Sequence, residues 1–259
     1  ADSISINTNT QSAVKARDLR SNSKQILKLK KAYEAKYSNG FFATKRGEII
    51  PADKDKQYCI ELSYLGKNLT AWYMQRPNLS YGETKIFDKY FNTLFKNDYL
   101  PEDAYALSFW MRKIMDAWTQ ENPLGLEEEL LTMKAYAPYH LLFAISMVFA
   151  KCNNQTNVPS PSECLKVASE NNLVDSIINI AANCLNSAIS AEKNNCEQNN
   201  KSFIPQNWVK NKSCNAGIMS AIQNYFSFLP TMNKEMDSKL KNGVKIDSKY
   251  FSYRVQAED

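Results

Sequence analysis

A single histidine, His140, limits the chemistry open to this chain. A Ser–His–Asp or Cys–His arrangement would have to use it as the base. His140 stands beside Leu141, Leu142 and Phe143 in an apolar stretch, where a hydrogen-bonded core or boundary residue is the expected role. There are six cysteines, Cys59, Cys152, Cys164, Cys184, Cys196 and Cys214, and none forms a CxxC pair. With one histidine this leaves no Cys/His zinc pattern. Cys164 and Cys184 fall in helical apolar patterns and are expected as reduced core thiols. The seven glycines are scattered and match neither phosphate-binding spacing, GxxxxGK or GxGxxG. A Mg²⁺ nuclease needs ordered acids with a lysine. Glu34 and Glu48 lie near Lys45, but the acid–acid–lysine order of such sites is absent. The run Glu127-Glu128-Glu129 reads as a solvated helix start. The chain is expected to carry no catalytic centre, metal site or cofactor of its own.

Charge gives the one candidate for binding. Residues 1–50 hold ten basic residues against Asp2, Asp18, Glu34 and Glu48, a balance of +6, so the remainder sums to −1 of the total +5. Attraction to phosphate or to an acidic partner should therefore live near the N-terminal end. Arg17 and Arg20 are three apart and share one face if residues 13–20 are helical. Lys45-Arg46-Gly47 follows an aromatic pair, Phe41-Phe42. Arginine can grip phosphate with two donors, glycine lets backbone come close, and aromatics can stack on bases. The candidate nucleic-acid contacts are Arg17, Arg20, Lys45 and Arg46, and the ligand would be DNA or RNA. The competing reading makes Arg17 with Asp18, and Arg46 with Glu48, internal pairs, and Phe41 and Phe42 half-buried strand residues.

Positioning these residues falls to a mainly α fold, a multi-helix bundle or array with a short β element in the first 50 residues and another at the C-terminus. Ile4 and Ile6 alternate as a strand end; Ala13–Leu19 and Gln25–Lys36 read as helices, and Phe41–Thr44 as a strand after the Asn39-Gly40 turn. From Ile60 to about residue 230 the spacing is helical. Leu62, Leu65, Leu69 and Trp72 share a face that Pro77 ends; Ile86, Phe87, Phe91, Leu94 and Phe95 form an aromatic face. Pro101 opens a third helix, and Pro138 predicts a break or kink within Leu126–Ala150. Helices follow near 163–168, 173–191 and 215–228, then a polar loop at 194–202, a polar tail from Asp237 and a strand within Tyr250–Val255. The polar, proline-bearing stretch 153–161 is the expected boundary, giving domains 1–57, 58–152 and 153–259. No apolar run is long enough to span a bilayer, and residues 1–10 lack a signal-peptide core. The protein is expected to be soluble and cytoplasmic, with no membrane partner.

Three segments, taken in order, resemble the AIPR (abortive infection phage resistance) family of bacterial proteins. The first is Asn7 to Arg20, whose Asn7, Asn9, Gln11, Asp18 and Arg-Asp-Leu-Arg ending match that family's pattern. The second is Phe41 to Glu48, with Gly47 and Glu48 closing a Lys-Arg-Gly-Glu element. The third is Lys67 to Pro77, followed by Phe87, Phe91 and Phe95. The resemblance covers about residues 4–100. It implies a role in anti-phage defence and a chain that is the C-terminal part of a longer protein, beginning where the AIPR core finishes. It points to a non-catalytic sensing module for nucleic acid or a partner. The partner would be the missing N-terminal half or a second copy. The alternatives it leaves are a fragment completing a nuclease of a restriction-type system and a helical oligomerisation scaffold.

Overall fold

The computed structural model describes residues 16–95, 99–119 and 121–256. Apolar residues three and four positions apart set most of its helices. The short helix α1 (Ala16–Arg20) leads into α2 (Lys24–Lys36). Ser23 caps α2 by accepting the Ile26 N–H, and Ile26, Leu29 and Tyr33 form its buried stripe. β1 (Phe41–Ala43) pairs in parallel with β2 (Cys59–Glu61), Phe42 opposite Ile60. Gly40 is obligatory before β1, because a Cβ there would sit 2.6 Å from the Tyr58 carbonyl oxygen.

β2 runs directly into α3 (Leu62–Trp72), which buries Leu62, Leu65, Leu69 and Trp72. Its end is closed by Gln75 in the left-handed conformation at φ 50°. Two short helices follow, α4 (Glu83–Asp88) and α5 (Phe91–Leu94), and then α6 (Pro101–Met115). After α7 (Glu128–Leu131) comes α8 (Ala137–Cys152). Helix α8 is buried almost all round from Ala137 to Ala150 and forms the centre of the molecule. Helices α3 and α6 pack on it, as do α10 (Val174–Gln198) and α12 (Lys212–Met232). The remaining elements are β3 (Val158–Pro159), α9 (Pro161–Glu170), α11 (Pro205–Trp208), α13 (Lys234–Gly243) and β4 (Phe251–Ser252); β3 and β4 pair antiparallel.

The mainly helical array with short β elements is as predicted. Several details differ. Pro138 opens α8 instead of breaking it, since the first turn needs no amide donor from proline. β2 stands at the start of the expected helical spacing, because Ile60 reads equally as the start of the α3 stripe, and β3, only two residues long, lies in the stretch expected as a polar boundary. Helix α10 continues through the expected polar loop to Gln198, and α13 occupies the expected polar tail. Helix α13 buries only Leu240 and Gly243, too few positions to carry a visible period. The expected strand at Ile4–Ile6 lies outside the described residues.

One cluster of buried apolar side chains runs from Ile26 to Val244, across the segments expected as three domains. The stretch 153–161 is tied to both sides of it. Trp72 Nε1 donates to the Pro159 carbonyl at 2.7 Å. The Asp103 carboxylate at the start of α6 accepts from the Ser160 and Ser162 hydroxyls at 2.9 and 2.6 Å. The Asn153 amide donates to the Val244 carbonyl and accepts the Ile246 N–H, each at 2.9 Å. Polarity here reflects side chains that satisfy buried backbone groups.

Candidate nucleic-acid interface

The chain turns sharply at the end of β1. Gly47, at φ 71°, takes the conformation this turn requires. Glu48 then folds back, and its carboxylate accepts the Thr44 N–H at 2.7 Å and the Lys45 N–H at 3.0 Å. Lys30, reaching across from α2, donates to the other Glu48 oxygen at 3.2 Å and to the Phe42 carbonyl at 2.8 Å. Burial pushes the Glu48 carboxyl up, but the two N–H groups and the Lys30 ammonium outweigh it and hold the group below its ordinary value. Glu34 completes the frame by accepting the Phe42 N–H at 3.2 Å.

Helix α1 docks on this turn: Asp18 Oδ1 accepts the Arg46 N–H at 3.2 Å. The same helix grips α4 with its other side. Arg17 pairs with Glu83 at 3.2 Å and with Asp18 at 3.4 Å, and is only 9% exposed. One turn along each helix, Arg20 Nε donates to the Phe87 carbonyl at 3.3 Å, and its guanidinium lies 4.8 Å from the centre of the Phe91 ring.

The four candidate residues are therefore brought into one region but divide into two kinds. Arg17 and Arg20 point inward and hold α1 to α4 and α5. Lys45 and Arg46 are exposed, and neither side chain forms an ion pair among the described residues. The aromatic pair divides as well. Phe42 is fully buried and packs edge-on against Tyr33. Phe41 is half-buried, with Lys30 Nζ 4.7 Å from its ring centre. Neither is an open stacking platform. Of the motif residues, Asp18, Gly47 and Glu48 build the turn, whereas Asn7, Asn9 and Gln11 lie outside the described residues. Lys30 is one of the ten basic residues of the first 50, and its spacing to Glu34, four residues on, was the available sign of an internal role.

Comparison with protein-family models, with curated proteins and with solved structures gave no match. What the chain can do must be read from its own groups. His140 is buried in α8, with Nδ1 3.1 Å from the Tyr136 carbonyl oxygen. Burial lowers its pKa to about 4, against the opposing pull of the Tyr136 and Val209 carbonyls, so it is a neutral core side chain at pH 7. The six cysteines are free thiols, and Cys164, Cys184 and Cys214 are buried. Glu129, in the carboxylate run, pairs with Lys193 of α10. The Glu127 N–H donates to the Asn186 side chain at 3.0 Å. Among the described residues no three metal-ligating side chains gather, and no helix is long and apolar enough to cross a membrane.

Proposed function

We propose that this chain is a non-catalytic helical module of a bacterial anti-phage defence protein of the AIPR type, and that it contacts nucleic acid through the turn bearing Lys45 and Arg46. One observation carries the reading. Two of the segments that resemble that family, 17–20 and 45–48, meet through the Asp18–Arg46 hydrogen bond. Every charge of the pair is committed internally except the two side chains that project from the turn. An exposed Lys-Arg pair on a rigid turn is suited to phosphate contact that is independent of sequence.

The test is binding of a twenty-base-pair duplex across a salt series, with Lys45→Glu/Arg46→Glu beside the wild type. The reading expects steep loss of affinity with salt in the wild type, and near-complete loss in the variant with its fold intact. Unchanged binding by a folded variant rejects it.

A scaffold reading has one observation in its favour. Helix α12 leaves Phe228 and Met232 62% and 69% exposed. Concentration-dependent association that Phe228→Ser/Met232→Ser abolishes would favour it.

A further inference from the structure

Away from the basic turn, α3, the N-terminal end of α8 and the side of α6 enclose a cleft of about 580 Å³. Its rim carries two exposed aromatic rings. Tyr64 of α3 is 52% exposed, and Tyr81, before α4, is 42% exposed. Tyr81 also packs on Tyr136, with ring centres 5.0 Å apart. Lys67 and Lys134 line the cleft, and Lys210 stands beside it at Tyr81. Lys67 Nζ lies 5.6 Å from the Tyr64 ring centre. Lys210 Nζ lies 5.9 and 5.3 Å from the Tyr81 and Tyr136 rings. Lys134 lines the cleft and is exposed. None of the three is in an ion pair among the described residues, and no carboxylate lines the cleft.

The floor adds a polar group. Tyr139 is 6% exposed and lines the cleft. Met111 and Met115 supply a soft apolar wall from α6. Lysines outside any ion pair among the described residues, partly exposed tyrosine rings and a volume of nucleotide size together suit a ligand that is both planar and anionic.

We infer that this cleft binds single-stranded nucleic acid, with bases against Tyr64 and Tyr81 and phosphates at Lys67, Lys134 and Lys210. A duplex cannot offer base faces to a pocket of this size without unpairing, so the ligand is a single strand. The inference shares with the proposed function only the view that the ligand is nucleic acid. Its residues are separate from the Lys45–Arg46 turn.

Fluorescence anisotropy of labelled oligothymidylate and oligouridylate, fifteen nucleotides long, tests it. Tyr64→Ala/Tyr81→Ala should weaken binding about tenfold or more, whereas Tyr64→Phe/Tyr81→Phe, which keeps both ring faces, should bind as the wild type does. Lys67→Glu/Lys134→Glu should weaken binding and flatten its salt dependence. The cleft variants are compared in the Lys45→Glu/Arg46→Glu background, which removes phosphate contact at the turn, so failure at one site is distinguishable from failure at the other. Both tyrosines are exposed, and an unchanged melting curve verifies the fold of each variant. No binding by the wild type, or equal binding by the alanine variant, overturns the inference. Displacement of the oligonucleotide by equimolar thymidine monophosphate also overturns it, because the ligand would then be a free nucleotide.

Discussion

Asp18 accepts the backbone N–H of Arg46 at 3.2 Å, across 28 positions of sequence. The bond fixes helix α1 against the turn that follows β1, so two charged segments act as one structural unit. It also gives an exposed arginine a part in the fold through its backbone. The Arg46 backbone is used for the fold, while its side chain is exposed and in no ion pair among the described residues.

Asp18→Ala should remove that bond and loosen the turn. One hydrogen bond to a charged acceptor is worth about 1.5–3 kcal/mol, less at an exposed site. A chain of this size shifts by about 2–4 °C per kcal/mol, so thermal melting should show a loss of a few degrees. Arg17 loses its partial screen from Asp18 in the same variant, and restoring Asn at position 18 should recover only part of the loss.

Arg20→Glu separates fold from binding in the opposite direction to Arg46→Glu. At position 20 a carboxylate would face the Phe87 carbonyl and the Phe91 ring, and about 2 kcal/mol of stability should be lost. Arg46→Glu should change stability by less than about 0.5 kcal/mol, as for an exposed substitution. Equal melting temperatures for the two variants would contradict the inward orientation of Arg20.

The helical array was legible because most of its helices carry a clear apolar stripe, such as Ile26–Leu29–Tyr33 and Leu62–Leu65–Leu69. The basic region was legible as a charge excess. Its division was not: Arg17 and Arg20 have the spacing of a binding face, and only the position of α4 makes that face internal. The cleft at Tyr64 and Tyr81 was hidden for a different reason. Lys67, Lys134 and Lys210 come from three distant segments in a region whose net charge is near zero, so no local excess marks them.

His140 makes stability depend on pH. Its folded pKa is about 4, below the roughly 6.5 of a free histidine, so the unfolded chain binds the proton first. Stability is full above about pH 6.5 and falls as pH drops towards 4, by up to about 3 kcal/mol. Chemical denaturation of His140→Met across pH 4–7 should show a much shallower decline than the wild type. An unchanged slope would mean that His140 is not the neutral buried group described.

Glu48 contributes in a more acidic window. Its folded pKa is lowered, so its stabilisation is present above the ordinary carboxylate range and is lost as pH falls through the folded value. Glu48→Gln should reduce stability at pH 7 and lessen further loss below about pH 4.5. A variant as stable as the wild type at pH 7 would show that the Lys30–Glu48 frame does not hold the turn.

The central claim, that the Lys45–Arg46 turn contacts nucleic-acid phosphates, is tested most directly by the salt dependence of duplex affinity. Each phosphate neutralised contributes a slope of about −0.9 to log K against log salt. Comparing wild type with Lys45→Ala/Arg46→Ala, the account predicts weaker binding and a slope shallower by about 2, with the melting temperature unchanged. The same slope and affinity in both proteins would contradict it.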